Sequence, residues 1–353
     1  MWVADMDFPS PPEVLEDIEK VVCHGIFGYT EPGDAYYSAV ADWFSSRYGF
    51  FASRHEIQKT PGVVFSLVQA VRAFSMPGEA VLIQTPVYYP FFDIIRNNGR
   101  LLVINPLIYS NGTYTMDFDD FENKISSNDV KIFLLCNPHN PVGRVWTREE
   151  LEKINGICAR HGVIVVSDEI HCDFVWPGHI HTCFGLLNEN AVITTSPSKT
   201  FNLAGLQVSN IFVKDTVLRD KLKAEINRSG YSQLNTLGLA ACKSAYTKGG
   251  PWLEALKTYL KENIRLVKEF LAAKLPEIIY IETEACYLVW LDFSNYKLTQ
   301  DELDRRITEG ARLWLSCGTT FGADGKGFQR INIACSRAIL FDALGRLEKE
   351  FKK

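Results

Sequence analysis

Lys131-Ile132-Phe133-Leu134-Leu135-Cys136 runs directly into Asn137-Pro138-His139-Asn140-Pro141-Val142-Gly143. After the lysine the first segment is continuously apolar, the pattern of a strand buried on both faces, as in a parallel sheet. The second segment cannot prolong that strand, because each proline removes a backbone donor. A buried strand therefore stops abruptly and presents Asn and His at its carboxyl end.

Runs of the same kind recur at 80–83, 101–104, 163–166, 191–195 and 208–213. Helical patterns separate several of them. Thr60-Pro61-Gly62 leads into one that reaches Phe74. Thr147 and Glu150 form a capping box for another, ending near His161. Upstream, Ser10-Pro11-Pro12-Glu13 has the same capping pattern and predicts a helix to about His24, and Asp34 is expected to cap a second helix. From about Pro251 the texture changes to one long amphipathic helix reaching Leu275, strands near 287–291 and 330–334, and a last helix from about Leu340. Strands alternating with helices predict an α/β fold with a mostly parallel sheet. At 353 residues the chain exceeds what one core of about 250–300 residues supports, so two domains are expected. The large one spans 26–252, and a smaller α+β domain combines 1–25 with 253–353.

The net charge of −5 offers no large basic field, so neither nucleic acid nor a membrane surface is an expected partner. No apolar run approaches the ~20 residues that cross a bilayer. Met1-Trp2-Val3-Ala4-Asp5-Met6-Asp7 lacks the basic and apolar regions of a signal peptide. Nine cysteines without a C-x-x-C pair fit reduced thiols, which predicts a cytoplasmic protein.

Chemistry-bearing residues concentrate where strands should end. Asn140 follows the run 131–136, Ser167-Asp168-Glu169-Ile170-His171 follows 163–166, Ser196-Pro197-Ser198-Lys199 follows 191–195, and Gly62-Val63-Val64 opens a helix. Ligands of open α/β sheets bind outside the carboxyl ends of the strands. Each segment also has a plain structural explanation: a rigid turn for Asn140, a helix cap for Asp168, a turn glycine for Gly62, a capped helix start for Lys199. Their joint occurrence at strand ends, in this order, is what points to a site.

That order resembles the fold type I pyridoxal-phosphate enzymes, the aspartate aminotransferase superfamily. The segments Trp2-Val3-Ala4-Asp5-Met6-Asp7-Phe8, Phe27-Gly28-Tyr29-Thr30 and Thr85-Pro86-Val87-Tyr88-Tyr89-Pro90-Phe91 are similar to its cystathionine β-lyase and cysteine C–S lyase branch, the cystalysins included. The resemblance implies a seven-stranded, mostly parallel sheet between helices and pyridoxal 5'-phosphate as cofactor. It implies that Lys199 forms a Schiff base with the cofactor and serves as base at the substrate Cα. Asp168 would hold the pyridine nitrogen protonated, Asn140 would donate to the ring phenolate, and Tyr88 would stack on the ring. Arg337, Asn140 and Tyr89 would meet the substrate, Arg337 as a bidentate clamp for its α-carboxylate. The phosphate would sit at the N-terminus of the Gly62 helix, on the N–H groups of Val63 and Val64, with hydroxyl donors from Ser196 and Ser198. Tyr29 would reach the phosphate from the partner subunit, which implies a homodimer.

Two positions depart from the superfamily pattern. Gln207 stands where an arginine commonly contacts the phosphate, and His171 stands where tyrosine is common. The imidazole of His171 would contact the phenolate or tune Asp168, or would serve as a hydrogen-bonded supporting residue. Gly322-Ala323-Asp324-Gly325-Lys326-Gly327 lacks P-loop spacing and is expected to be a mobile loop. His171, Cys172, His179, His181 and Cys183 match no common zinc spacing, so no metal is expected. The expected reaction is β-elimination on cystathionine or another cysteine-type substrate, giving a thiol or sulfide, pyruvate and ammonia. Transamination would use the same residues, and a regulatory protein could keep the fold with secondary lyase activity.

Overall fold

The structure, a computed structural model, describes residues 1–231 and 233–352. Its strands in chain order are β1 (Ile57–Thr60), β2 (Ala80–Thr85), β3 (Leu101–Pro106), β4 (Ile108–Ser110), β5 (Thr113–Thr115), β6 (Val130–Cys136), β7 (Ile164–Asp168), β8 (Val192–Thr195), β9 (Ser209–Val213), β10 (Ile279–Tyr280), β11 (Leu288–Asp292), β12 (Ser316–Cys317) and β13 (Phe328–Asn332). Seven of them form one sheet in the order β1-β9-β8-β7-β6-β2-β3. The five strands from β8 to β3 are mutually parallel, whereas β9 runs antiparallel to both β8 and β1. The sheet is thus seven-stranded and mostly parallel, as the family resemblance implies. β1 is the strand of this sheet that the apolar runs did not predict; Ile57-Gln58-Lys59-Thr60 is a short edge strand with polar residues at its centre.

Burial on both faces follows the strand period of two. Along β6, Ile132, Leu134 and Cys136 belong to one apolar cluster, shared with Val63, Leu67 and Val71 of the helix Val63–Phe74. Phe133 and Leu135 belong to the opposite cluster with Trp146, Leu151 and Ile154. Thr147 and Glu150 make the expected reciprocal cap of the helix Arg148–Arg160.

Two expected caps are not made. Pro11, not Ser10, precedes the helix Pro12–His24, and the Ser10 hydroxyl donates instead to the carbonyl of Asn202. Asp34 lies inside the first turn of the helix Asp34–Tyr48, behind Gly33, and its carboxylate pairs with Arg54. A short polar side chain caps only from the extended residue before the first turn, and neither residue occupies that position.

Of the other strands, β4 and β5 form a two-stranded ribbon, and β10-β11-β13-β12 form an antiparallel sheet beside the helices Gly250–Lys274 and Arg337–Phe351. Residues 1–7 run along this sheet: Asn332 N donates to Met1 O, and Asp7 N donates to Ala334 O. The helix Pro12–His24 packs instead against the helix Thr236–Lys248.

Candidate active site

Because β2, β6, β7 and β8 are parallel, their carboxyl ends lie along one edge of the large sheet. In register, Cys136 stands beside Asp168 and Asp168 beside Thr194. The loops leaving these four strands carry Tyr88, Asn140, His171 and Lys199. With Val63 and Val64 they line one pocket, which Tyr89, Arg330 and Trp2 to Ala4 complete.

Local chemistry fixes each position. Gly62 precedes the helix Val63–Phe74 with φ +132°, a backbone conformation that suits glycine. Its N–H donates to Ser209 Oγ at 3.0 Å, which ties the helix start to β9. The N–H groups of Val63 and Val64 belong to the first turn, where no helical acceptor exists and the helix dipole favours an anion. Asn140 N donates to Cys136 Sγ at 3.4 Å, and Trp146 Nε1 donates to Cys136 O at 3.0 Å, so the loop folds back on the strand it leaves. His139 Nε2 lies 2.8 Å from Pro86 O and ties the Asn140 loop to the Tyr88 loop. Burial lowers the His139 pKa to about 4, so near neutral pH Nε2 is a neutral N–H donor to that carbonyl.

Lys199 lies in the single turn Pro197–Thr200, capped by Ser196 Oγ, which accepts from Ser198 N at 3.0 Å. The Ser196 hydroxyl donates its one proton to Val208 O at 2.6 Å. Ser196 and Ser198 act on the lysine's turn, and neither lines the pocket.

Electrostatics set the pocket apart. Asp168 is buried, and its pKa rises to about 7: burial dominates, Glu169 adds to the rise, and Lys199 and the N–H of Ile170 oppose it. A cation against it would relieve that cost. Burial also lowers the pKa of Lys199, with Arg330 in the same sense and Asp5 and Asp168 opposing. His171 is pushed down to about 3 by burial, Lys199 and Arg330, so it is neutral. Its Nδ1 has no partner among the described residues. Burial raises the Tyr88 phenol, which stays protonated. Glu169 is spoken for by His181, Ser167 and Phe184 N and belongs to the scaffold.

The arginine of the pocket is Arg330 on β13, not Arg337. Arg337 opens the last helix on the surface, its guanidinium 4.5 Å from the ring centre of Tyr259. Arg330 is 4% exposed. It donates to Asn140 Oδ1 at 2.9 Å, Trp2 O at 3.0 Å and Ser316 Oγ at 3.1 Å. Its Nε–H has no partner among the described residues and faces a pocket that also holds Lys199 and Asp168, so it can donate to a substrate carboxylate. One signal in Gln329-Arg330-Ile331-Asn332-Ile333 could have found it: an arginine inside a buried strand is rare unless it is paired.

Other expectations fall outside the pocket. Tyr29 is 97% exposed in the segment before the helix Asp34–Tyr48. Gln207 is an exposed turn residue with φ +48°. The Gly322–Gly327 segment is docked, with Thr85 Oγ1 donating to Asp324 Oδ2 at 2.6 Å, which ties it to the end of β2. Of Trp2 to Ala4, which line the pocket, and Asp5, which contacts Lys199, sequence reasoning used only the family likeness and not their position.

The set fits pyridoxal phosphate: a buried carboxylate that lacks a full counter-charge, a lysine biased toward its amine, an unpartnered imidazole nitrogen and an anion-favouring helix start. The family model for aminotransferase class I and II matches residues 3–347. Cystathionine beta-lyase PatB of Bacillus subtilis is 45% identical over 352 residues, covering 99% of this chain and 91% of that protein. Protein MalY of Escherichia coli is 34% identical, over 96% of this chain and 87% of its own. The crystal structure of cystalysin from Treponema denticola, which contains a pyridoxal 5'-phosphate cofactor, superposes with a TM-score of 0.97 at 37% identity, covering 100% of this chain and 90% of that one. The chain belongs to the aminotransferase class I and II family of fold type I pyridoxal-phosphate enzymes, in its cystathionine β-lyase and C–S lyase branch.

Proposed function

We propose that this protein is a pyridoxal-phosphate-dependent carbon–sulfur β-lyase acting on L-cystathionine or a related cysteine-type amino acid. For cystathionine, substrate and one water become homocysteine, pyruvate and ammonia. One observation carries the proposal: Lys199, Asp168 and an arginine whose Nε–H has no partner among the described residues converge on a single pocket. The similarity to a cystathionine β-lyase over nearly the whole chain supports it.

When bound at Lys199, the cofactor supplies an electron-poor ring that accepts the electron pair left at the substrate Cα. The chain's residues do the rest. Arg330 orients the substrate through its α-carboxylate. Lys199, as free amine, takes the Cα proton. The Cβ–S bond then breaks, and its electron pair leaves with the sulfur. Asp168 balances positive charge on the group lying against it, Asn140 positions both that group and Arg330, and the rings of Tyr88 and Tyr89 wall the pocket. The first turn of the Val63–Phe74 helix would hold the phosphate.

Tyr29 serves the neighbouring site in a homodimer; its exposure beside exposed Ile26 and Phe27 supports this. A cytoplasmic location is supported by nine free cysteines. No helix of the described residues is long and apolar enough to cross a membrane.

The deciding experiment is a coupled assay for pyruvate released from L-cystathionine with no keto-acid acceptor present. Turnover without acceptor is expected. Strict dependence on an acceptor would refute the lyase assignment in favour of transamination.

A further inference from the structure

We propose that Asp5 is a positioning residue for Lys199: its carboxylate is the counter-ion that holds the lysine in place whenever the amine carries a proton. The chemical meaning of this rests on the proposed lyase reaction. Lys199 Nζ lies 3.4 Å from Asp5 Oδ1. The lysine side chain is 18% exposed and that of Asp5 58%, so the pair straddles the pocket mouth with the amine inside and the carboxylate in water.

The position of Asp5 is built from two sides. Asn332 Nδ2, at the end of β13, donates to Val3 O and Asp5 O, each at 2.6 Å. Tyr287 OH donates to Ala4 O at 2.9 Å. Asn202 accepts from Met6 N at 3.1 Å and donates to Met6 O at 2.9 Å. Asn202 lies three residues after Lys199, with φ +57°. The segment carrying Asp5 is thereby tied both to the small sheet and to the lysine's own loop.

Four other groups bear on Lys199 from the packed elements. Asp168 at the end of β7 favours the ammonium, Arg330 on β13 disfavours it, and His171 and Tyr88 are uncharged. Asp168 is buried and assigned to the cofactor ring, which leaves Asp5 as the carboxylate able to follow the lysine's charge. During elimination the Cα–H bond breaks, an N–H bond forms on Lys199, and positive charge appears beside the carboxylate of Asp5. The lysine then passes that proton to the leaving sulfur, and the pair relaxes.

The test uses Asp5→Asn and Asp5→Glu in two measurements. The first is the pH profile of kcat in the holoenzyme, whose acid limb reports the base in the substrate complex. The second needs no turnover: the rate at which trace acetic anhydride labels Lys199 in the cofactor-free full chain, followed against pH by peptide mass spectrometry. Loss of a partly exposed ion pair should lower both midpoints by roughly half a pH unit in Asp5→Asn. Labelling below the midpoint should then run about threefold faster, because a free amine persists to lower pH. Asp5→Glu should restore both midpoints, and an unchanged thermal midpoint shows that the fold is kept. An unmoved labelling midpoint in Asp5→Asn, or a shift that Asp5→Glu fails to restore, overturns the assignment. Failure of the lyase reading shows separately, as a parent enzyme that releases no pyruvate while the labelling result stands.

Discussion

Replacing Arg330 by lysine keeps a positive charge in the pocket and removes the planar fork, so it isolates geometry from charge. In the parent three donors of Arg330 reach Asn140, Trp2 and Ser316, and the Nε–H has no partner among the described residues and is left for the substrate. An ammonium has three donors in all and no coplanar pair. Whichever protein partners it keeps, it cannot hold Asn140, Trp2 and Ser316 and also donate to a carboxylate. A hydrogen bond to a charged group contributes about 1.5–3 kcal/mol, so loss of one predicts a fall in kcat/KM of roughly 10- to 150-fold at 1.36 kcal/mol per decade. Arg337→Ala removes only a surface guanidinium stacked on Tyr259, and its kcat/KM should stay close to that of the parent. The assay is steady-state pyruvate release from L-cystathionine, with cofactor absorbance and thermal midpoint as controls for folding. Parent-like kinetics for Arg330→Lys, or an equal loss in Arg337→Ala, would refute the assignment of the carboxylate to Arg330.

Asp168 is raised to about 7 in the folded chain from an ordinary value of 3.8, so the unfolded chain loses its proton first as pH rises. Stability of the cofactor-free protein should therefore fall from pH 4 to 7 through this group, and Asp168→Asn should raise the thermal midpoint at pH 8 but not at pH 4. Calorimetry at the two values checks both signs. If Tyr29 serves the neighbouring site, Tyr29→Ala and Lys199→Ala enzymes, each inactive alone, should recover about one quarter of parental turnover when refolded together, since half the dimers are mixed and hold one intact site. No recovery would place Tyr29 outside the site. A Cβ on Gly318 would stand 2.0 Å from the carbonyl oxygen of Gly325. Gly318→Ala should thus cost about 1–3 kcal/mol in urea unfolding, as overpacking does.

Much of the large sheet was legible because buried parallel strands write themselves as unbroken apolar runs. Ala80–Thr85, Leu101–Pro106 and Val130–Cys136 were each predicted within two residues of their observed ends. β1 was not, because an edge strand need not be apolar throughout. Caps failed at Ser10 and Asp34 for a local reason: the pattern fixes spacing, while the first helical turn depends on where the chain enters. Asn140, Asp168 and Lys199 were found because each follows or ends a strand, and parallel topology turns that sequence position into spatial neighbourhood; Tyr88, after β2, came only from the family likeness. Arg330 was missed because β13 belongs to the other sheet. Its approach to Asn140, 190 residues away, is encoded in no local pattern.

By itself, then, the sequence determined which residues could do the chemistry, since strand ends, glycine turns and a lysine between hydroxyl residues are local statements. Only the tertiary structure decided which arginine meets them and which carboxylate faces the lysine. Those are questions of distance and burial between segments far apart in the chain, and packing alone answers them.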